Sequence, residues 1–425
     1  MIAIGFRHLC VALALWASAV GMAFAADVTA ASLDLSASAP AGQDQRVLMM
    51  LRLAPDHVRP GADYAGGYGD AAERSALRRV AGRLARQNGL TLVDDWPMPL
   101  VGVDCFVLVV PGGRSPGDVA TRLSQDPAVA WSQPMNLYRA EGAEPASGRL
   151  FLAEPAAREW RLAELHRVAI GRNVRVALID SRVDRAHPDL VGQIGASQDF
   201  VAGHGAGPEQ HGTAVAGVIA AKGVGVVGIA PGARLMALRA CWQDAAPPGQ
   251  AGATVCDSLS LAKALDYAIG HDAQVINLSL AGPPDPLLGK LLDVALARRI
   301  VVVAAFDRGM PGGGFPASHA GVVAVADEAW GAEPAGVYSA PGRDVPTTTP
   351  GGRWGLVNGS SFAAAHVSGL FALLRERQGA SSRLAKLAAA PASGAIDACA
   401  TVLGAAAACA TPAPRLREAS AGGHL

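Results

Sequence analysis

The chain has 425 residues, 51% of them hydrophobic and 17% charged, enough apolar side chain to bury more than one core. Its 36 basic and 36 acidic residues cancel, so it lacks the basic footprint of a nucleic-acid binder. The 50 glycines and 28 prolines fit a loop-rich α/β protein.

Residues 1–25 read as an export signal. Arg7 and His8 precede an apolar run over 9–22, and Ala23-Phe24-Ala25 supplies a small-x-small cleavage site. Cys10 stands at the front of the run rather than its end, which argues against a lipid anchor. No later stretch has the roughly 18 uninterrupted apolar residues of a membrane span. The expected location is therefore secreted or periplasmic, with no stable membrane span once the signal is removed.

Residues 26–142 carry the pattern of a small α+β module. Residues 47–53 (VLMMLRL) are strand-like. Asp70 and Glu73 form a capping-box pattern ahead of Leu77, Val80, Ala81 and Leu84, which share a helical face. Val101, Val103, Cys105, Val107 and Val109 alternate as a strand does. Ser115-Pro116 opens a second helix and 128–131 a last strand. The order β-α-β-β-α-β is that of a ferredoxin-like module, with three of the four strands placed by pattern.

From Val174 the pattern becomes α/β. Strands are expected at 174–180, 234–240, 274–280, 300–305 and 321–326. Helices are expected at 258–271 behind Asp257, at 286–299 behind Asp285, and just after His211. Such alternation implies a mostly parallel sheet covered by helices on both faces. Asp180 closes the first of these strands, at the carboxyl end where open parallel sheets place their sites. After Gln378 the chain turns to Ala, Ser, Gly and Pro, with one short helix expected over 384–390 and disorder at the end.

Three segments carry chemistry: VRVALIDSRVDRAHPDL with Asp180, HGTAVAGVIA opening on His211, and NGSSFAAAHVSG with Ser360 and Ser361. A serine hydroxyl needs a neighbouring imidazole to take its proton. The imidazole needs a carboxylate to hold its tautomer, and the oxyanion needs donors such as a helix N-terminus. Asp, His and Ser in that order resemble the subtilisin-like serine peptidases, the subtilases.

The resemblance implies Asp180, His211 and Ser361 as the triad, with Ser360 in the slot of the preceding threonine. It implies no cofactor, and it implies protein or peptide substrates held by strand pairing along Ser279, Leu280 and Ala281, with residues 251–255 as the opposite edge. It also implies that residues 26–142 are an inhibitory propeptide, a partner of the peptidase domain at 143–380, with processing somewhere in 141–149 and a tail at 381–425. Among other histidines, His187 and His366 match structural positions, and His204 and His319 read as loop residues. Asp189 matches a calcium position of some relatives. The companion loop 221–228 lacks the oxygens a cation needs, so no metal is expected. In an exported chain Cys241, Cys256, Cys399 and Cys409 allow three pairings, the two local ones being simplest, with Cys105 left as a free thiol.

Four departures stand out. Where the family has a Gly-Asn pair donating to the oxyanion, this chain has Phe306 and Asp307. An ionised Asp307 repels an oxyanion, whereas a protonated one donates to it, which would shift the optimum to acid. Phe306 and Ala281 narrow the primary pocket toward small or medium residues. Arg182 replaces a glycine after Asp-Ser, a strained placement if positive φ is required. Ala365 replaces a proline after the nucleophile. The expected function is a secreted serine endopeptidase working through an acyl-enzyme. The alternative is a catalytically weak or inactive peptide-binding protein of the same fold.

Overall fold

The computed structural model describes residues 45–53, 68–140, 143–146, 155–205, 207–244, 252–328, 334–379, 387–390 and 393–404. The export-signal reading, the C-terminal end with Cys409, and most of 141–149 lie outside the described residues.

The N-terminal module runs β1 (Arg46–Arg52), α1 (Tyr68–Gln87), β2 (Thr91–Met98), β3 (Val103–Val109), α2 (Pro116–Leu123) and β4 (Val129–Pro134). Its strands form one antiparallel sheet of order β2-β3-β1-β4. Alternation gives the sheet two apolar faces. Val47, Met49, Leu51, Phe106 and Leu108 pack with α1 and α2 residues such as Leu84 and Leu123. Leu48, Met50, Val103, Cys105 and Val107 face the other way, into the core of the following domain. The strand missed in the sequence is β2. Its register shifts between Leu92 and Asp94, and Asp94-Asp95 breaks the alternation. Helix α1 begins at Tyr68, so Asp70 lies inside its first turn rather than at a cap, and Val101 belongs to a 3-10 turn, not to β3.

The next two strands, β5 (Leu137–Ala140) and β6 (Ala143–Ala146), pair only with the following domain. That domain continues with α3 (Pro155–Glu159), α4 (Leu162–Leu165), β7 (Arg175–Asp180), β8 (Ile194–Asp199), α5 (Gln210–Ala220), β9 (Arg234–Arg239) and β10 (Cys241–Gln243). Then come β11 (Thr254–Asp257), α6 (Ser258–Gly270), β12 (Val275–Leu278), β13 (Leu280–Ala281), α7 (Pro286–Ala297), β14 (Val301–Ala305) and β15 (Val323–Asp327). The last elements are β16 (Tyr338–Ala340), β17 (Val345–Thr349), β18 (Arg353–Asn358), α8 (Ser360–Gln378) and α9 (Ala398–Leu403).

Seven strands make a parallel sheet of order β16-β15-β14-β12-β7-β9-β8. Its central strands β12 (VINL) and β14 (VVVAA) are buried along their whole length because both faces are covered, whereas the edge strand β8 keeps exposed positions. Val176 and Leu178 of β7 join the core under α5 and α8, while Ala177 and Ile179 join the core under α6 and α7. Asp257 and Asp285 cap α6 and α7 by accepting backbone N–H groups.

The chain beyond residue 380 is not all tail. Leu387, Ile396, Ala398, Cys399 and Val402 are buried in the core around α8. The helix expected over 384–390 is absent from the described part of that range: Ala389 forms a β-bridge with Ile396. Alanine-rich composition hid this segment because its anchor residues are few and widely spaced.

One carboxylate sits badly in this core. Asp266 of α6 is buried, its Oδ1 has no hydrogen-bond partner, and burial pushes its carboxyl up to about 7, Arg298 offsetting this only in part. An acid raised in the folded state ionises first in the unfolded one, so stability falls as pH rises from about 4 to about 7. Asp266→Asn is expected to be more stable than its parent at pH about 8, by on the order of 1–3 kcal/mol, and no more stable at pH about 4. Denaturant titration in a Ser361→Ala background measures it. An equal gain at both pH values would refute the buried ionised carboxylate.

Candidate active site

Asp180 ends β7 and is 2% exposed. Its Oδ1 lies 2.8 Å from His211 Nδ1 and accepts the Ser181 N–H at 2.7 Å. His211 stands in the first turn of α5, whose N-terminus comes close to the turn after β7 because the next residue is Gly212. A Cβ there would lie 2.2 Å from the Ser181 carbonyl oxygen. The Gly212 N–H instead donates to Ser181 Oγ at 2.9 Å. The motif His-Gly thus brings imidazole and carboxylate together through the absence of a side chain.

Ser361 is fully buried in the first turn of α8, after Gly359 at φ 132. It is locked reciprocally to Ser279: Ser361 Oγ donates to the Ser279 carbonyl at 2.9 Å, and Ser279 Oγ donates to the Ser361 carbonyl at 2.8 Å. Asn277 donates to Ser279 Oγ and accepts from Ser368 Oγ, extending the link between β12 and α8. His211 Nε2 is buried without a hydrogen-bond partner, while its Nδ1 meets Asp180. The Phe362 ring lies 5.6 Å from the imidazole, closing the apolar side of the site. Phe362 and Asn277 were not singled out in the sequence; only their adjacence to Ser361 and Ser279 could have marked them.

Strands β11 and β13 belong to a second, four-stranded sheet of order β10-β11-β5-β13. Between them runs β5, antiparallel to both, with Tyr138 opposite Cys256, Arg139 opposite Ala281 and Ala140 opposite Leu280. Tyr138 is fully buried near Leu261, Leu280 and Phe315, and Phe315 faces its ring at 6.4 Å. Further along, β6 pairs with β18, Ala143 lying opposite Asn358. The chain therefore passes from β13, beside Ser279, to Asn358, three positions before Ser361. At the base of the module, Gln133 and Asn136 donate to Asp285, which also accepts from Ser258 Oγ at 2.6 Å. Lys263 pairs with Asp94 at 3.1 Å and lies over the Trp96 ring.

Phe306 is 9% exposed and packs against Gly313, where a Cβ would meet its ring at 2.1 Å. Ala281 abuts Gly314 in the same way. Asp307 Oδ1 accepts the Gly309 N–H at 2.7 Å, within its own loop. Arg182 is not strained, because it is absent from the described residues with positive φ. Its N–H donates to Glu209 instead. His366 is buried against Trp160, and burial holds its imidazole down at about 4, so it stays neutral. His187 bridges the Arg353 carbonyl and the Asp189 N–H, His319 contacts Asp293, and His204 stacks on Trp242.

Asp189 accepts the N–H groups of Val224, Gly225 and Val226 and the Trp354 indole N–H. That ring of donors repels a cation, so Asp189 organises loop 221–228 by hydrogen bonds. Among the described residues no three His, Cys, Asp or Glu side chains cluster as metal ligands. No described helix is long and apolar enough to cross a membrane.

Seven parallel strands covered on both faces, with an Asp–His pair and a serine-bearing helix at their carboxyl ends, define an α/β architecture of the subtilisin type. The subtilase family profile matches residues 171–390, and the chain belongs to the subtilase family. It is 37% identical over 224 residues to subtilisin E of Bacillus subtilis (strain 168), an alignment spanning 48% of this chain and 56% of that protein. It is 33% identical over 278 residues to an alkaline protease of Shouchella clausii, covering 62% of this chain and 68% of that one. The chain thus spans little more than half the length of the first of these relatives. The crystal structure of fervidolysin from Fervidobacterium pennivorans, described as a keratinolytic enzyme related to subtilisin, superposes with a TM-score of 0.62 at 20% identity. It covers 85% of this chain and 61% of that one, a likeness of fold.

Cys241 and Cys256 are joined by a disulfide across β10 and β11, a separation of 15 residues. Cys399 is also disulfide-bonded, and its expected partner Cys409 lies outside the described residues. Cys105 is free and buried, and burial pushes its thiol up to about 12. The first disulfide braces the strand that pairs with β5. Replacing Cys241 and Cys256 together by Ala, in the Ser361→Ala background, is expected to cost about 3 kcal/mol in denaturant titration. A loss under about 0.5 kcal/mol would mean that strand pairing alone holds this edge.

Proposed function

We propose that the chain is a secreted serine endopeptidase that matures itself. Asp180 orients His211, His211 acts as general base and then acid, and Ser361 attacks the peptide carbonyl to form an acyl-enzyme that water hydrolyses. The observation that carries this is the Asp180–His211 contact of 2.8 Å beside a cleft in which β5 is the middle strand between β11 and β13. Such pairing is how an extended peptide is held for attack, and it favours peptides over simple esters. The N–H groups at the start of α8 are the oxyanion donors.

Residues 1–25 act as the export signal and 26–142 as an inhibitory propeptide, ahead of the peptidase domain from 143. Two facts support the propeptide reading. One sheet face of the N-terminal module is built into the core of the following domain. Strands β5 and β6 also flank the serine from both sides, as an uncleaved substrate does. The bond cleaved in maturation then falls between Ala140 and Ala143.

A second reading, a weak or inactive peptide binder, is favoured by one feature. Ser361 Oγ is turned to the Ser279 carbonyl while His211 Nε2 has no partner. Catalysis requires rotation of that hydroxyl toward His211, a change of one side-chain torsion.

Intact mass of the purified protein decides between the two. The parent chain is expected to lose the N-terminal segment and the Ser361→Ala variant to keep it; two full-length proteins would sink the peptidase reading in favour of the binder. Once mature enzyme is in hand, Asp307→Asn is expected to raise kcat ten-fold or more, because an amide at this place supplies a donor worth about 2.7–4 kcal/mol in subtilisin. An unchanged rate and pH profile would remove Asp307 from the oxyanion site.

A further inference from the structure

Acyl transfer leaves unexplained a set of charged groups beside the triad. Arg182 stands two residues after Asp180, and Glu209 two residues before His211. Glu209 is the N-cap of α5, where a carboxylate ordinarily accepts its own helix's N–H groups. Here it makes no such bond and reaches across instead. Its Oε2 accepts the Arg182 N–H at 2.6 Å and Arg239 Nε at 3.1 Å. Its Oε1 accepts Arg239 Nη2 at 2.7 Å and the Gln243 N–H at 3.2 Å. The Glu209 N–H in turn donates to the Arg182 carbonyl at 2.8 Å.

Arg239 is 3% exposed and lies opposite Asp180 in the β7–β9 pairing. Its third arm reaches Asp199 at 3.2 Å, and Asp199 also takes the Arg182 guanidinium. Burial alone would depress the Arg239 guanidinium, but Glu209 and Asp199 more than offset it, so the charge is kept.

We propose that Glu209 is a positioning residue for the Asp180–His211 pair. The inference rests on the triad reading above. One carboxylate clamps the turn that follows Asp180 to the residue that precedes the His211 helix, and Arg239 holds the clamp from beneath. In this chain the turn carries Arg182 and stays at ordinary φ, so its path is set by that clamp rather than by a glycine. Release of the turn lets Asp180 and His211 drift apart, which lowers turnover without touching the strands that bind substrate.

The test must separate the clamp from the cost of a stranded buried arginine. Two double variants do so: Glu209→Ala with Arg239→Met, and Glu209→Gln with Arg239→Met. Both remove the buried charge pair, but only glutamine keeps an acceptor for the Arg182 N–H. Mature enzymes are compared by kcat and KM on one extended peptide, with melting measured in parallel. The Ala/Met enzyme is expected to lose kcat ten-fold or more with KM changed less than two-fold. The Gln/Met enzyme is expected to regain most of that kcat at a similar melting temperature. Parent-like turnover of the Ala/Met enzyme, a loss confined to KM, or a Gln/Met enzyme as slow as Ala/Met would each overturn the proposal. Absence of any turnover by the parent would overturn the triad reading and this inference with it.

Discussion

The approach of α5 to the end of β7 is the constraint on which the site depends. A single added methyl at Gly212 would collide with the Ser181 carbonyl, so the imidazole of His211 reaches the Asp180 carboxylate only because that atom is missing. Asp180 is itself placed by the parallel sheet, whose carboxyl edge is where strand ends leave backbone and side-chain groups facing a crevice. Burial of the carboxylate then makes its two hydrogen bonds strong, since little water competes for it.

A second constraint joins the sheet to the serine. Ser361 and Ser279 exchange hydrogen bonds, and Asn277 and Ser368 carry the connection back to β12. Buried polar groups of this kind tolerate few arrangements, because any one left unpaired costs free energy. The start of α8 is therefore fixed against the same strand edge that pairs with β5. The serine and β5 share one reference frame, and the position of a β5 carbonyl relative to Ser361 follows from strand register. Tyr138, buried on the opposite side of that register, prevents a slip by one residue, which would turn it out of its apolar surroundings.

Much of this was legible in the sequence because it rests on local pattern. The apolar strands of the parallel sheet and the caps Asp257 and Asp285 are each written within a few residues, while Asp180, His211 and Ser361 were marked out by the resemblance of their three short motifs to those of the subtilases. What stayed hidden depends on partners far away in the chain. Strand β2 has a bulge and two aspartates, and is held by pairing with β3 rather than by its own alternation. Strand β8 is an edge strand with several exposed positions, paired only to β9. Residues 387–404 read as a biased tail, yet a handful of apolar side chains seat them on the core around α8. The reciprocal serine pair was equally invisible, since 82 positions separate its members.

The departures from the family pattern share one logic: a group is lost and neighbouring hydrogen bonds take over its structural task. At Asp189, three loop N–H groups and an indole N–H meet the carboxylate oxygens. Arg182 supplies no glycine-like φ, and its N–H is met by Glu209. Phe306 adds a ring where the family has none, and Gly313 gives way to it. In each case the backbone path is kept by a partner contributed from another element. Asp307 differs, because its oxygen is met by the Gly309 N–H within its own loop rather than by a partner from another element. The scaffold has thus absorbed its substitutions where they concern shape. At Asp307 the substitution concerns charge, and the carboxylate is met only by a donor of its own loop.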